Sequence, residues 1–454
     1  MHTIASVEGP RAGRALGVGK QLEAAGYVEQ EFVIAGRADL YTYDAHWNTV
    51  QSRGDIPYRT RVLVRRPEDP ARASGDAVLE ALHPAGDMAS AWPRTGRTIL
   101  RERMIWIGVT QDVSGLRVLK NQDPERYADL DLPEFGLGFD IVAQVATWLR
   151  GSGSPVQPLS HMFMTGASFT GTFQRVFIGD GFHARARRPD GGPAIEGYLI
   201  QISSGAFLLG GYTPLGRGVP QLPADDRRRT IQPLDVPVIE LLSEGEAETN
   251  AGARRPDSDA LEDRYRLYEV PGACHMTSRE SMSAIPVLEE PSDFPMDMLC
   301  GGALLNLRRW VVDQVPAPRA ERLVFSADPS GRRGLRDQAR PLERDEHGNA
   351  IGGVRSPWVD VPIASYYPHS TTTAPRPSNP PSSTPSRPVL EPADIADLMG
   401  CMTPFSPDKL RALYGTPESY RRRFDEALQR MFEDRWIAEA DRDRARARAA
   451  KVEF

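Results

Sequence analysis

Residues 164–173 read M-T-G-A-S-F-T-G-T-F, and they carry the strongest indication of the fold. Its central five residues nearly match the G-x-S-x-G pattern of a nucleophile elbow, in which a serine occupies a sharp turn between a strand and a helix. Thr170 stands where the pattern has its last glycine, and Gly171 follows one position later. Ser168 is therefore either a catalytic nucleophile or a serine in an ordinary tight turn.

The segments on either side of Ser168 favour the first interpretation. Residues 161–164 form a short apolar run that predicts a strand. Residues 169–178 carry apolar side chains at helical spacing, which predicts a helix packed by one face. Strand, turn and helix thus follow in the order that an elbow requires. We interpret Ser168 as the nucleophile.

Other compact apolar runs extend the predicted sheet, and runs of this length are typical of strands buried on both faces of a parallel sheet. They occur at residues 77–82, 104–109, 197–202, 236–242 and 266–270. Helical patterns at residues 140–149 and 301–315 lie among or after them. This alternation predicts an α/β fold with a mostly parallel central sheet and flanking helices.

The N-terminal part predicts antiparallel strands. Residues 31–35 and 38–43 flank Gly36 and Arg37 as in a hairpin, and residues 59–66 alternate up to a turn. The strands are expected to lead into the central sheet.

The chain is expected to divide into an α/β core at residues 1–315, with an insertion at about 203–235, and a C-terminal extension at 316–454 that packs on the core. Residues 369–392 are rich in Pro, Ser and Thr, and they predict an exposed loop that builds no core. Helices are expected near the end of the extension, at residues 406–413 and 417–449.

Composition narrows the class of protein. The chain has 454 residues, a formal net charge of −6 and 40% hydrophobic residues, which predicts a globular protein with no basic surface for nucleic acid or anionic membrane. No apolar run is long enough to span a membrane and the N-terminus shows no apolar signal core, so we expect a cytoplasmic protein. Three cysteines are expected to be reduced and buried. No zinc-type, H-E-x-x-H or EF-hand pattern is present, so no metal and no cofactor is predicted.

A serine nucleophile needs a base, and one of the eight histidines has the expected position. In hydrolases with an elbow, the base follows the last strand of the sheet. His275 fits, because residues 266–270 predict a strand and 271–274 a loop after it. A histidine there can reach over the sheet edge toward Ser168.

The orienting acid belongs after the strand that precedes the base. Residues 236–242 are followed by S-E-G-E-A-E, which offers Glu244 and Glu246. Either side chain is long enough to reach an imidazole, so both remain candidates, with Glu246 preferred. Glu248 is interpreted as part of a solvated loop.

The oxyanion site is expected to combine two backbone N–H groups. One belongs to Phe169, the residue after the nucleophile. The other belongs to the loop after residues 77–82, where Pro84 has no N–H, so Ala85 or Gly86 must supply it. His83 in the same loop is a candidate substrate-binding residue.

These residues together resemble the α/β-hydrolase domain family of large, mostly bacterial proteins. The resemblance runs from about residue 27 to the C-terminus, and its landmarks stand at residues 27–44, 120–127, 139–141, the elbow, 255–259, 269–275, 345–355 and 413–415. Each landmark is weak alone, but the ordered set is specific. Two departures occur: the chain reads S-E-G-E at residues 243–246 where such proteins usually read T-E-T-D, and Thr170 replaces the commoner serine or glycine.

The resemblance implies an α/β-hydrolase fold with an appended C-terminal portion. Carried over by position, the nucleophile falls on Ser168, the base on His275 and the acid on Glu246. The implied activity is that of a serine hydrolase acting on a carboxylic ester or lactone. An amidase or acyltransferase could use the same triad, and a non-catalytic binding protein could use the same fold. The oligomeric state is left open.

Overall fold

The computed structural model describes residues 2–156, 159–205, 215–216, 218–223, 225–277, 286–327, 340–373 and 392–454. Within these residues the strands are β1 (Ile4–Ala12), β2 (Tyr27–Tyr43), β3 (Thr49–Pro67), β4 (Asp76–Ala81), β5 (Ile105–Val109), β6 (His161–Ala167), β7 (Gly197–Gln201), β8 (Val238–Ser243), β9 (Ser258–Ala260), β10 (Asp263–Val270), β11 (Glu290–Pro291), β12 (Ala364–Tyr367) and β13 (Cys401–Pro404). The helices are α1 (Gly19–Ala25), α2 (Trp92–Arg101), α3 (Val113–Gln122), α4 (Gly138–Leu149), α5 (Phe169–Gly179), α6 (Glu244–Thr249), α7 (Met296–Val312), α8 (Pro357–Asp360), α9 (Pro392–Leu398), α10 (Pro407–Tyr414), α11 (Pro417–Glu433) and α12 (Glu439–Ala449).

Ten of these strands form one sheet, in the order β1-β2-β3-β5-β4-β6-β7-β8-β10-β9. The strands from β5 through β10 in this order run parallel, whereas β1, β2 and β3 pair antiparallel at one edge and β9 pairs antiparallel at the other. The strands of the parallel part are buried on both faces, as their apolar runs predicted.

Successive side chains of the central strands point to opposite faces of the sheet and belong to two apolar cores. Leu79, Ile107 and Met164 point into the core on the side of α4 and α5, whereas their neighbours Val78 and Phe163 belong to the core on the side of α2 and α7. The second core also includes Trp358, Phe424 and other residues of the C-terminal part; these are Tyr366, Leu410, Tyr420, Leu428 and Met431. The C-terminal helices thus cover one face of the sheet.

The predicted hairpin at Gly36 is wrong. Residues 27–43 form the single strand β2, and the reversal lies at residues 44–48, where the Asp44 carboxylate accepts from the N–H groups of His46 and Asn48. Gly36 pairs with Tyr58 of β3, and a Cβ at this position would stand 3.0 Å from the Tyr58 hydroxyl. The glycine therefore makes room for a cross-strand ring and does not form a turn.

The predicted helix at 417–449 is two helices. α11 ends at Glu433 and α12 begins at Glu439, with Arg435 at φ 66° between them. This left-handed residue turns the chain so that Trp436 and Ile437 pack against α7. Charge alone did not reveal the break, since both helices are highly charged on their outer faces.

The predicted insertion at 203–235 and the predicted loop at 369–392 lie partly outside the described residues. Residues 206–214, 217 and 224 of the former and 374–391 of the latter are not described. The prediction of an exposed loop is wrong at its first two residues, because His369 and Ser370 are buried. The division into a core and an extension remains a proposal, consistent with the packing of the C-terminal residues on the sheet.

Candidate active site

Ser168 occupies a strained turn between β6 and α5. β6 ends at Ala167 and α5 begins at Phe169, and Ser168 between them has φ 57° and ψ −119°. A residue with a side chain rarely adopts this conformation, which costs about 1–3 kcal/mol and persists only where surrounding contacts enforce it. The serine side chain is half-buried at the C-terminal edge of the parallel strands. This is the backbone geometry of a nucleophile elbow.

The elbow closes on Gly166. A Cβ at Gly166 would lie 2.5 Å from the carbonyl oxygen of Thr170, so only glycine allows the strand and the first helical turn to approach this closely. Gly171 allows a similarly close approach to the end of β7, because a Cβ there would lie 2.7 Å from the Ser203 Cβ and 3.0 Å from the Gln201 carbonyl oxygen. The glycine that follows one residue late in the motif therefore serves helix–strand packing.

Thr170, the departure from the motif, braces the turn with its hydroxyl. Its Oγ1 accepts from the Ala167 N–H at 2.8 Å and lies 3.1 Å from the Ala167 carbonyl oxygen. The same hydroxyl contacts the Ser90 Oγ at 2.6 Å. A glycine at position 170 could make none of these bonds, so the substitution adds a fixed point beside Ser168.

His275 and Glu246 are in direct contact. The His275 Nδ1 lies 2.6 Å from a carboxylate oxygen of Glu246, and both side chains are buried. The other carboxylate oxygen of Glu246 accepts from the Ser243 hydroxyl at 2.5 Å. We assign the Nδ1 proton from the carboxylate partner, which leaves the Nε2 lone pair of a neutral imidazole as an acceptor.

Glu244, the alternative acid, has other partners. One of its carboxylate oxygens accepts from the Gly272 N–H at 2.5 Å and the other lies 2.7 Å from the Arg344 guanidinium. Burial raises the pKa of the Glu244 carboxyl, and the charge of Arg344 opposes that rise. The loop after β10, residues 271–277, carries His275 and is called the base loop. Of the two candidate acids, Glu246 contacts His275, whereas Glu244 contacts the backbone of the base loop and Arg344 of the C-terminal part.

The interpretation of Glu248 as part of a solvated loop is wrong. Residues 244–249 form the buried helix α6, and the Glu248 carboxylate contacts the imidazole of His369 at 2.8 Å. No local pattern in the sequence marks this partner, which lies 121 residues away.

Arg94 of α2 connects the base loop with the elbow. Its guanidinium donates to the His275 carbonyl oxygen at 2.8 Å and to the Ser90 carbonyl oxygen at 3.3 Å. Ser90 in turn contacts Thr170, as described above, so one buried cation joins the segments that carry the base and the nucleophile. Sequence reasoning missed Arg94 and Ser90, because neither forms a motif.

The loop after β4 lies against the elbow, where the second oxyanion donor was expected. The His83 ring packs on Phe169 with 5.4 Å between centroids. The Ala85 N–H donates to the His83 Nδ1 at 3.0 Å, and the Gly86 N–H is 3.4 Å from the His83 carbonyl oxygen. The first bond is a normal one, whereas the second is longer than the usual range and weak.

The residues that the structure describes contain no cluster of three or more His, Cys, Asp or Glu side chains arranged to hold a metal ion. In the same part of the chain, no helix combines the length and apolar character needed to cross a bilayer. The three cysteines, Cys274, Cys300 and Cys401, are buried and unbridged.

The strand order of the sheet and the elbow are those of an α/β-hydrolase fold. The sequence also matches a family model over almost its whole length. The family model described as "Alpha/beta hydrolase domain" matches residues 4–447. The chain belongs to the alpha/beta hydrolase domain family. This confirms the α/β-hydrolase fold and the resemblance noted from the sequence landmarks.

Solved structures with detectable similarity to this family member include esterases. One, from a study of two fungal esterases from Rhizomucor miehei, has 11% identity and a TM-score of 0.30, with 56% of this chain and 79% of that chain covered. Brefeldin A esterase, a bacterial homologue of human hormone sensitive lipase, has 13% identity and a TM-score of 0.28, with coverage of 51% and 68%. No curated protein matches the sequence.

Proposed function

We propose that this protein is a serine hydrolase that cleaves a carboxylic ester or lactone. Membership of the alpha/beta hydrolase domain family supports a hydrolase. The observation that carries the finer proposal is the pairing of a strained Ser168 elbow with a His275–Glu246 contact of 2.6 Å at the same edge of the sheet. These are the parts that nucleophilic catalysis by serine requires.

The proposed reaction has two stages. The Ser168 Oγ attacks the carbonyl carbon while the His275 Nε2 takes the serine proton, and the Glu246 carboxylate stabilises the imidazolium that forms. His275 then returns the proton to the departing alcohol oxygen, which leaves an acyl group on Ser168. Water attacks the acyl carbon with the same histidine as base, and the acid is released.

The oxyanion of each tetrahedral intermediate is proposed to bind the Phe169 N–H and one N–H of the loop after β4. Gly86 is the better second donor, because its 3.4 Å bond to the His83 carbonyl is easily given up for a charged oxygen. Ala85 would first have to release the His83 Nδ1. The His83 ring, packed on Phe169, would border the substrate.

Labelling by a fluorophosphonate probe tests the proposal. Wild-type protein should be labelled and Ser168→Ala should not, while Thr172→Ala, one helical turn further along α5, serves as a folded control that should label. Absence of labelling in the wild type would exclude the proposed hydrolase and leave the binding-protein alternative. Equal labelling of Ser168→Ala would exclude Ser168 as the nucleophile.

A panel of p-nitrophenyl esters, lactones and amides then determines the substrate class. Hydrolysis of esters or lactones with amides inert is the expected result. Preferential turnover of amides, or transfer of the acyl group to an added alcohol in place of water, would instead identify the amidase or acyltransferase alternatives, which use the same three residues.

A further inference from the structure

Three glutamates lie within five residues on the acid helix α6, and all three are buried. Negative charges this close disfavour one another's ionised forms, and burial adds to that effect. Glu246 can stabilise an imidazolium only while it is ionised. The charges of Glu244 and Glu248 must therefore be compensated by something other than the base.

Two cations from the C-terminal part supply that compensation, one for each glutamate that flanks Glu246 in the sequence. Arg344 lies 2.7 Å from the Glu244 carboxylate, and its guanidinium also donates to the carbonyl oxygens of Gly348 and Tyr366. It is further fixed over the ring of Tyr367 at 4.7 Å. These contacts within the C-terminal part fix the position of the Arg344 guanidinium that binds α6.

His369 holds the other flank as an imidazolium. Its Nε2 lies 2.8 Å from the Glu248 carboxylate, and its Nδ1 lies 2.7 Å from the Asp397 carbonyl oxygen and 3.1 Å from the Asp397 carboxylate. Both nitrogens face acceptors, so both carry protons. These two carboxylates raise the pKa of His369 to about 10 despite its burial.

Other residues of the C-terminal part bind the loop that carries the base. The Met276 N–H donates to the Leu398 carbonyl oxygen at 2.9 Å, and the Gly400 N–H returns a bond to the Met276 carbonyl oxygen at 3.1 Å. Asp397, the partner of His369, immediately precedes this pairing. One short C-terminal segment therefore contacts the base loop directly and the acid helix through His369.

We propose that Arg344 and His369 are positioning residues that hold α6 by its flanking glutamates and leave Glu246 as the carboxylate available to His275. The inference rests on the proposed function, and it gives the C-terminal part a role in the charge balance of the site. The Glu246–His275 pair has further polar neighbours. The Ser243 hydroxyl donates to the Glu246 carboxylate, and the Arg94 guanidinium donates to the His275 carbonyl oxygen.

Charge variants of the His369–Glu248 pair test the proposal. His369→Gln leaves a negative charge uncompensated beside Glu246, so His275 should take up a proton more readily and the acidic limb of kcat/KM should move up by about one pH unit, the low end of what a nearby charge produces. Glu248→Gln removes a negative charge near Glu246 and should move the limb down. The double variant should lie close to wild type.

The titration of His275, followed by NMR of protein labelled with ¹⁵N-histidine, measures the same shifts without any turnover. Opposite shifts in the two single variants, cancelled in the double variant and accompanied by a lower kcat with KM little changed for His369→Gln, are the expected result. If His275 titrates in every variant as it does in the wild type, the positioning role is excluded. The same holds if the variants lose thermal stability and the titration of His275 does not move. Should His369→Gln fail to fold, Glu248→Gln still decides by its downward shift.

The two proposals fail in different ways. If wild-type protein is not labelled by the fluorophosphonate, the hydrolase is excluded, but the NMR titrations still measure the coupling of the pair to His275. If the wild type is labelled and Ser168→Ala is not, while neither single variant moves His275, the hydrolase stands and the positioning role is excluded.

Discussion

At the scale of single residues, the site depends on hydroxyls and carboxylates that each bond two neighbours. The Thr170 hydroxyl is bonded to the Ala167 N–H and to Ser90, and the Glu246 carboxylate is shared between Ser243 and His275. Removing one such partner leaves the other buried without a bond, which costs more than the bond itself contributes. Small side-chain changes should therefore separate the roles of adjacent residues.

The two candidate acids should behave differently when neutralised. Glu246→Gln presents an amide to the His275 Nδ1 and favours the wrong tautomer, so kcat should fall by roughly 10³–10⁴-fold with stability little changed. Glu244→Gln should leave most of the turnover and lower stability, because its partners are the Gly272 N–H and Arg344. Steady-state kinetics and urea denaturation measure both effects. Loss of turnover in Glu244→Gln alone would make Glu244 the acid.

The bracing role of Thr170 is tested by Thr170→Val, which keeps the shape of the side chain and removes the hydroxyl. The free energy of unfolding should fall by about 1–3 kcal/mol, because the Ala167 N–H is then buried without its acceptor. Thr170→Ser, which retains the hydroxyl, is the matched control and should lose much less. Equal losses in the two variants would show that the methyl group, not the hydroxyl, matters.

At the scale of elements, glycines mark where two segments approach most closely. Gly302 of α7 faces the chain at Trp436, and a Cβ on this glycine would collide with the Trp436 carbonyl oxygen. The short link between α11 and α12 is thereby seated on α7. The C-terminal helices are fixed to the sheet at this point by backbone proximity as well as by apolar side chains.

Gly302→Ala should consequently destabilise the protein by about 1–3 kcal/mol, the usual cost of overpacking. Gly19→Ala is the control, since the nearest atom to its Cβ would be 3.9 Å away and alanine favours helix. Chemical denaturation of both variants measures the difference. A Gly302→Ala protein as stable as the control would mean that the link at 434–438 moves away at little cost.

The residues of the site differ in how far sequence could predict them. Ser168 stands in a motif, and the chain order of an elbow, an acidic run and a histidine after later strands suggested Glu246 and His275. Their partners could not be found this way. Three of these partners come from segments roughly one hundred or more residues distant and belong to no local pattern: Arg94, Arg344 and His369. The burial of Glu248 could not be predicted either, because it depends on the contact with His369. The hairpin at Gly36 failed because a glycine that accommodates a ring looks in sequence like one that forms a turn.

At the scale of the whole molecule, the stability should depend on alkaline pH through His369. Its folded pKa, about 10, lies above the ordinary value of 6.5, so its contribution is complete below pH 6.5 and is lost as the pH rises toward 10. The difference in unfolding free energy between wild type and the His369→Gln, Glu248→Gln double variant should thus be largest near pH 6 and shrink toward pH 10. Urea denaturation across that range measures it, and a constant difference would contradict a buried imidazolium.

The pairing of Met276 with residues 398–400 has a consequence for biosynthesis. A chain is made from its N-terminus, and the ribosome encloses the most recent residues, so β6, Ser168 and the strands after it emerge well before residue 400 does. The base loop and the acid helix reach their observed contacts only after that later segment is available. In a nascent chain, Ser168 therefore leaves the ribosome before the C-terminal contacts of the base loop and the acid helix can form.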